Sequence, residues 1–345
     1  MTGTVSTTPA ASVAGSPAVT LPPAHSRLRA ALPPVAFGLV VLIIGTAPYW
    51  LDAYSLDVLT LGLTYGLMAM ALALLIGFTG LPSLGHSAFL GLGAYSAGLL
   101  AVHTTDNALV GLVLAAVVGA AAAAVVGALS LRTHGVFFLM LTLAFAEIIR
   151  QIAIKSSFTG GDNGLSVPAP HIPLLSSTGL PQVVTVYWYV LAVVAVGYVV
   201  LSVVVRSPFG KALVGVRDNP HRMAAIGYSV VTVRLRAVML SGALTAVGGA
   251  LLVQKDTLVA PTALTPDASV LLLVMVLVGG ARSLTGALVG AVGMVFLRSF
   301  TSSWLGEAWL LVEGVLFVSV VYFMPSGLAG LAATVRSRIR RGGPA

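Results

Sequence analysis

Residues 56–89 read LDVLTLGLTYGLMAMALALLIGFTGLPSLGHSAF, and two properties of this stretch decide the fold. The run from Leu56 to Phe78 is long and apolar enough to cross about 30 Å of hydrocarbon as one helix. It then stops at Gly77-Phe78-Thr79-Gly80-Leu81-Pro82-Ser83-Leu84-Gly85-His86-Ser87 before apolar sequence resumes. Glycines and a proline free backbone groups that lipid cannot satisfy, so this backbone must face protein or a watery cavity. Transporters build substrate sites on such broken helices. Glycines also let helices approach closely, which is the packing alternative. Gly80, Ser83, Gly85, His86 and Ser87 are therefore candidate pathway residues. A lone intramembrane histidine such as His86 is more often an interhelical hydrogen-bonder than a ligand or proton carrier.

The rest of the chain has the same character. Of 345 residues, 58% are hydrophobic and 8% charged, where an ordinary globular domain has about 25% charged. The mean hydropathy is +1.02. No soluble fold hides that much apolar surface, so the solvent is lipid. Apolar segments run from Leu32 to Trp50, Leu56 to Phe78, Leu84 to Val102, Ala108 to Leu131, Val136 to Ile154, Val183 to Val205, Ala237 to Val253, Ala268 to Ala281, Leu284 to Leu297 and Ala308 to Met324. The fold class expected is an all-α integral membrane protein of about ten transmembrane helices, some short or broken. The short eighth and ninth segments, parted by Gly279, Gly280 and Arg282, also read as a re-entrant pair. Gly279 and Gly280 join the candidate pathway residues, because Gly280-Ala281-Arg282-Ser283-Leu284-Thr285-Gly286 echoes Gly80-Leu81-Pro82-Ser83-Leu84-Gly85.

With the N-terminus inside, one side collects Arg27, Arg29, Arg132, six basic residues between Arg206 and Arg236, Arg282 and four from Arg336 to Arg341, fourteen of the 18 Lys and Arg. The other side collects Asp52, Asp57, Asp106, Asp162, Asp256, Asp267 and Glu307. Cytoplasmic loops retain positive charge. Both termini are thus expected in the cytoplasm, and the net charge of +8 is a topology signature rather than a nucleic-acid footprint. The expected organisation is a disordered cytoplasmic tail over 1–31, a membrane domain over 32–331 with an external loop at 155–182 and a cytoplasmic loop at 206–236, and a basic tail over 332–345. The first apolar run reads as an uncleaved helix, since Ala47-Pro48-Tyr49-Trp50 ends it poorly for signal cleavage.

Glu147 and Arg150 stand three residues apart inside the fifth segment, on one helical face. Intramembrane charges usually pair and mark function; a structural pair near the interface is the equal alternative. Glu313 is a weaker case of the same kind. The internal loop mixes apolar Leu213, Val214 and Val216 with basic Lys211, Arg217 and Arg222, a pattern for short helices at the membrane surface or against a partner. Chemistry of other kinds has no motif. Gly210-Lys211 is followed by Ala212, so there is no phosphate-cradling loop, and no H-E-x-x-H pair occurs. Without cysteine, thiolate ligands and nucleophiles are excluded. No catalytic residue, metal site or cofactor is assigned to the chain.

Four strings, in order, resemble branched-chain amino-acid ABC transporter permeases. Ser83 to Tyr95 (SLGHSAFLGLGAY) is similar to that family's hallmark. Glu147-Ile148-Ile149-Arg150 with Thr159-Gly160-Gly161-Asp162-Asn163-Gly164-Leu165 resembles a second block. Ser207-Pro208-Phe209-Gly210-Lys211-Ala212-Leu213, Arg217-Asp218-Asn219-Pro220 and Ala224-Ala225-Ile226-Gly227-Tyr228 resemble its cytoplasmic coupling segment. Pro325-Ser326-Gly327-Leu328-Ala329-Gly330 resembles its close. The second and last strings look more like the LivM-type than the LivH-type subunit. The coupling segment is more basic than the family's, with Pro220-His221-Arg222 where Glu is frequent.

The resemblance implies a multi-pass permease of the bacterial cytoplasmic membrane. Its implied partners are a LivH-type permease, two ABC ATPase subunits that bind ATP and Mg, an extracytoplasmic substrate-binding protein and membrane lipid. Branched-chain amino acids are the implied substrate, with urea or a related amide as the alternative. An ion-coupled carrier using Glu147, Glu313 or His86 is a different class. Gly160, Gly161 and Asp162 enter as pathway residues. Phe209, Gly210, Lys211, Arg217, Asp218, Asn219, Ala224, Ala225 and Gly227 enter as coupling residues, moved when the ATPases close.

Overall fold

A helix that is apolar on every side must be buried on every side, and α1 (Ala53–Ala73, continued by a π-helical turn over Leu74–Thr79) is the clearest case. In the computed structural model, which describes residues 44–133, 135–173 and 180–305 with residues 311, 314, 315, 318, 319, 322 and 327, every residue from Leu67 to Leu74 is fully buried. The chain divides after Ile44, and the helical bundle belongs to the second unit, Gly45–Ala345. The tail over 1–31, most of the first apolar segment, Glu313, most of the last segment and the basic C-terminal tail lie outside the described residues.

The remaining helices are α2 (His86–His103), α3 (Ala108–Ser130), α4 (Val136–Lys155), α5 (Gln182–Arg206), α6 (Pro208–Asp218), α7 (Pro220–Ala225), α8 (Val230–Asp256), α9 (Pro266–Gly279) and α10 (Leu284–Leu305). Their starts follow from short polar residues that bond the free amides of a first turn. Asp52 accepts from the Ser55 amide, Asn107 from Leu109 and Val110, Ser207 from Gly210, Asn219 from Arg222 and Ser229 from Thr232. The Ser55 bonds hold the exposed Asp52 carboxyl below the usual carboxylate range. Prolines open α6, α7 and α9, where no amide bond is lost.

Six of the described helices are long and apolar enough to span a membrane. Two boundaries differ from those the sequence suggests. The seventh span starts at Val230 rather than Ala237, because Ser229 caps it and carries Arg234 and Arg236 into its first turns. The ninth segment, read as short, is the 22-residue α10, which continues past Leu297 through Arg298 and Ser299. Only α9 stays short, at 14 residues or about 21 Å.

α1 is wrapped by α5, α8, α9 and α10, and α2 and α3 pack on α8. Small residues set the spacing. Gly93 lies against the Ala246 carbonyl and Gly249 against that of Leu90, so α2 and α8 run side by side at backbone contact. An apolar belt faces outward, including Val113, Val117 and Val125 on α3, Phe137 and Met140 on α4, and Val196 and Val203 on α5. A surface this continuous suits lipid and not water.

At one end of the bundle, Leu165–Ser166 (β1) pairs antiparallel with Leu258–Val259 (β2), with Leu165 opposite Val259. The long connection after α4 also bonds the α2–α3 turn, through Ala108 N to His171 O at 2.9 Å and His171 N to Asp106 O at 2.9 Å. Tyr189 of α5 donates to Gln254 Oε1 of α8 at 2.9 Å, and Gln254 donates to Ala108 O at 3.0 Å. The opposite end holds the helix breaks.

Candidate functional site

The π turn of α1 ends at Gly80, whose φ of +70° is a backbone conformation that glycine alone adopts freely. Residues 81–85 are not helical, and α2 starts at His86. The freed backbone groups are satisfied by protein. Leu84 N donates to Thr142 Oγ1 of α4 at 3.3 Å, Gly85 N to Ser83 Oγ at 3.2 Å, Ser87 N to Ser269 Oγ of α9 at 2.8 Å, and Leu81 N to Leu75 O at 3.1 Å. Ser83, His86 and Ser87 are all buried.

His86 Nε2 lies 2.9 Å from Ser241 Oγ of α8, and that hydroxyl donates to Ala71 O of α1 at 2.6 Å. With the serine proton committed to Ala71, Nε2 is the donor and Nδ1 a bare acceptor. Among the described residues neither His86 Nδ1 nor Ser87 Oγ has a hydrogen-bond partner, though both are buried.

The second break sits beside the first. α9 ends at Gly280 (φ +103°), and Ser283 caps α10 by accepting from Gly286 N at 3.0 Å. Gly279 is pressed against the Gly286 carbonyl, Gly327 against Gly280, and Gly77 against the carbonyl of Ala281. The glycine strings of three separate motifs thus meet at one end of the bundle.

The cytoplasmic segment reaches the same place. Gly210 fits the tight α5–α6 corner against the Val205 carbonyl, Lys211 points outward, and Leu213 and Val216 are buried. Phe209, in the first turn of α6, is half-buried. From α6, Arg217 donates through Nη1 to the Gly77 carbonyl, 140 residues away in sequence, while its Nε and Nη2 bond Asp218 Oδ1 at 2.9 and 2.8 Å. A cation is favourable at the C-terminal end of a helix. A Cβ at Gly80 would stand 2.8 Å from Arg217 Cγ, so the glycine makes room for the arginine stem. Beyond it Asn219, Ala224, Ala225, Ile226, Gly227 (φ +93°) and Tyr228 form an exposed knuckle, with Ile226 65% exposed.

Glu147 and Arg150 are separate from this cluster. They form a bidentate pair, Nε to Oε2 at 2.8 Å and Nη2 to Oε1 at 2.6 Å, with Gln151 Nε2 on Oε1 at 2.8 Å. Asp162 lies near enough to act electrostatically on Arg150. It stands in the turn that Gly160 (φ +81°) and Gly161 (φ +59°) make after α4. A pair closed within one helix predicts a specific thermodynamic outcome. Glu147→Leu, leaving Arg150 unpaired, should destabilise the detergent-solubilised protein by about 2 kcal/mol, while Glu147→Leu with Arg150→Leu should recover most of it. Thermal unfolding of the two variants checks this; equal losses in both would contradict it.

Thr142, Ser241 and Ser269, which hold the break together, escaped sequence reading. Their only signal is a single small hydroxyl in an otherwise apolar helix, which recurs too often to select them.

A bundle of spanning helices with a protein-lined break, joined to an exposed surface knuckle, defines a multi-pass membrane permease. The chain belongs to the branched-chain amino acid transport system / permease component family, which matches residues 54–335. It is 27% identical over 320 residues to the high-affinity branched-chain amino acid transport system permease protein LivM of Salmonella typhimurium, covering 85% of this chain and 74% of that protein. The Escherichia coli protein of the same description is 27% identical over 315 residues, with the same coverage. A probable branched-chain amino acid transport permease protein LivM of Methanocaldococcus jannaschii is 24% identical over 326 residues, 81% of this chain and 93% of that one. No solved structure matches the chain.

Proposed function

We propose that this chain is the LivM-type membrane subunit of an ATP-driven importer of branched-chain amino acids. It works with a LivH-type permease, two ATPases that bind ATP and Mg, and an external substrate-binding protein. Both termini and the α6–α7 knuckle face the cytoplasm, and the β1–β2 end faces outside. The pathway residues are those of the two breaks with the Glu147, Arg150 and Gly160–Asp162 block, and the coupling residues are those of α6, α7 and the knuckle.

The observation that carries the reading is the Arg217 seat. Closure of the ATPases displaces the exposed knuckle, α6 moves with it, and Arg217 transmits the displacement to the Gly77 carbonyl. Gly77 in turn abuts Ala281, so both breaks shift together. Coupling by this route requires that nucleotide states differ in energy at the knuckle. Glu147 is already held by Arg150 and Gln151, and His86 by Ser241, which disfavours either as the proton carrier of an ion-coupled transporter.

Purification from native membranes followed by mass spectrometry tests the assignment. Two ATPases and a second permease should co-purify, and proteoliposomes of that assembly should take up leucine only with ATP at the knuckle side. Uptake by the chain alone, with no ATPase present, would sink the proposal.

A further inference from the structure

A cavity of about 960 Å³ opens between α1, α2, α8, α9 and α10 toward the β1–β2 end, a size in the range of small-molecule sites. Its lining is divided by chemistry. Leu90 of α2 with Leu271 and Val274 of α9 form an apolar wall, while Asp256, Asp267 and Arg298 bring both signs of charge to the same space. Tyr65 of α1, also in the lining, lies within electrostatic reach of Arg298 and Asp256.

The charges are not equivalent. Asp256 shares the Lys255 ammonium with Asp57, at 2.8 and 3.0 Å, so that cluster carries one net negative charge at the rim. Asp267 makes no ion pair among the described residues. Its place in the first turn of α9 accounts for its charge through the helix dipole, but not for an arginine in the same cavity. Arg298 belongs to α10, an otherwise apolar span, where a cation is costly and marks function.

We infer that this cavity is a binding site for the transported solute as a zwitterion: Arg298 takes the carboxylate, Asp267 the ammonium, and Leu90, Leu271 and Val274 the aliphatic side chain. The inference rests on the importer reading and narrows it. A neutral amide such as urea offers nothing to either charge, whereas a branched-chain amino acid matches all three parts. The cavity extends from the β1–β2 end down to Leu90, one turn into α2, and so ends just above the first break.

The full assembly in proteoliposomes tests it, with binding protein, internal or external ATP as required, and labelled leucine. Arg298→Gln and Asp267→Asn should each lower uptake about tenfold or more, the cost of leaving a ligand charge unpaired, and Arg298→Lys should recover much of the first loss. Co-purification of the ATPases checks that each variant assembles. On the unaltered assembly, a diazirine analogue of leucine should label peptides containing Leu90 or Leu271, with excess leucine but not urea protecting them. Uptake within twofold in both variants, or labelling confined to other helices, overturns the inference and leaves the importer reading standing. So does labelling of those peptides by a photoreactive phosphatidylethanolamine that leucine does not displace. Absence of ATP-driven uptake by the unaltered assembly overturns both.

Discussion

Arg217→Ala is expected to lower ATP-driven uptake about tenfold or more while the chain still inserts and still co-purifies with its ATPases. The substitution strips the Gly77 carbonyl of its charged donor, and a hydrogen bond to a charged group is worth about 2 kcal/mol. What it removes is a connection more than a support. α6 stays anchored by buried Leu213 and Val216, and α1 by the fully buried run from Leu67 to Leu74, so the fold survives. The knuckle and the break lose their shared atom pair. The ATPase rate of the assembly should then cease to rise with loaded binding protein, a change that mere loss of stability does not produce. Arg217→Lys should fall between, because one ammonium cannot hold the Gly77 carbonyl and Asp218 as the planar fork does. Uptake within twofold of the unaltered protein in Arg217→Ala would mean that force does not travel through this contact.

Much of this arrangement was legible in the residues themselves. Gly80, Pro82 and Gly85 announce a break because each removes something a lipid-embedded helix requires, and the break lies where they stand. Short polar residues before apolar runs, Asn107 and Ser229 among them, fix helix starts by bonding amides. Ser229 was nonetheless overlooked, since Arg234 and Arg236 three to seven residues later look like loop. Charges near the end of a long helix can reach the interface, so a charge does not end a span. α10 makes the same point through Arg298. What could not be read was anything joining distant segments. Arg217 and Gly77 are 140 positions apart, and nothing in either neighbourhood names the other. The meeting of Gly77, Gly280 and Gly327 is of the same kind: each glycine signals close approach, but not to what.

Gly77→Ala is the substitution for which local and tertiary physics disagree most sharply. On helix propensity alone, alanine gains about 1 kcal/mol over glycine. Against this, the added methyl would overlap the carbonyl of Ala281, with the Arg282 Cα 3.2 Å away. These neighbours are backbone, so no side chain can rotate aside. α1 and α10 pack antiparallel along their whole length, from Tyr54 Oη against Ser299 Oγ at 2.6 Å to Gly77 at the break, so separating them at one end strains the register throughout. Overpacking of this kind costs about 3 kcal/mol, and the propensity gain does not offset it. Gly293→Ala on α10 is the matched control, since a Cβ there meets nothing and only the propensity remains. Gly77→Ala should thus lower the unfolding midpoint in detergent by several degrees and abolish uptake, while Gly293→Ala should hold or raise the midpoint. A Gly77→Ala protein as stable as its parent would mean that the two breaks do not touch, and Arg217 would then have no second helix pair to move.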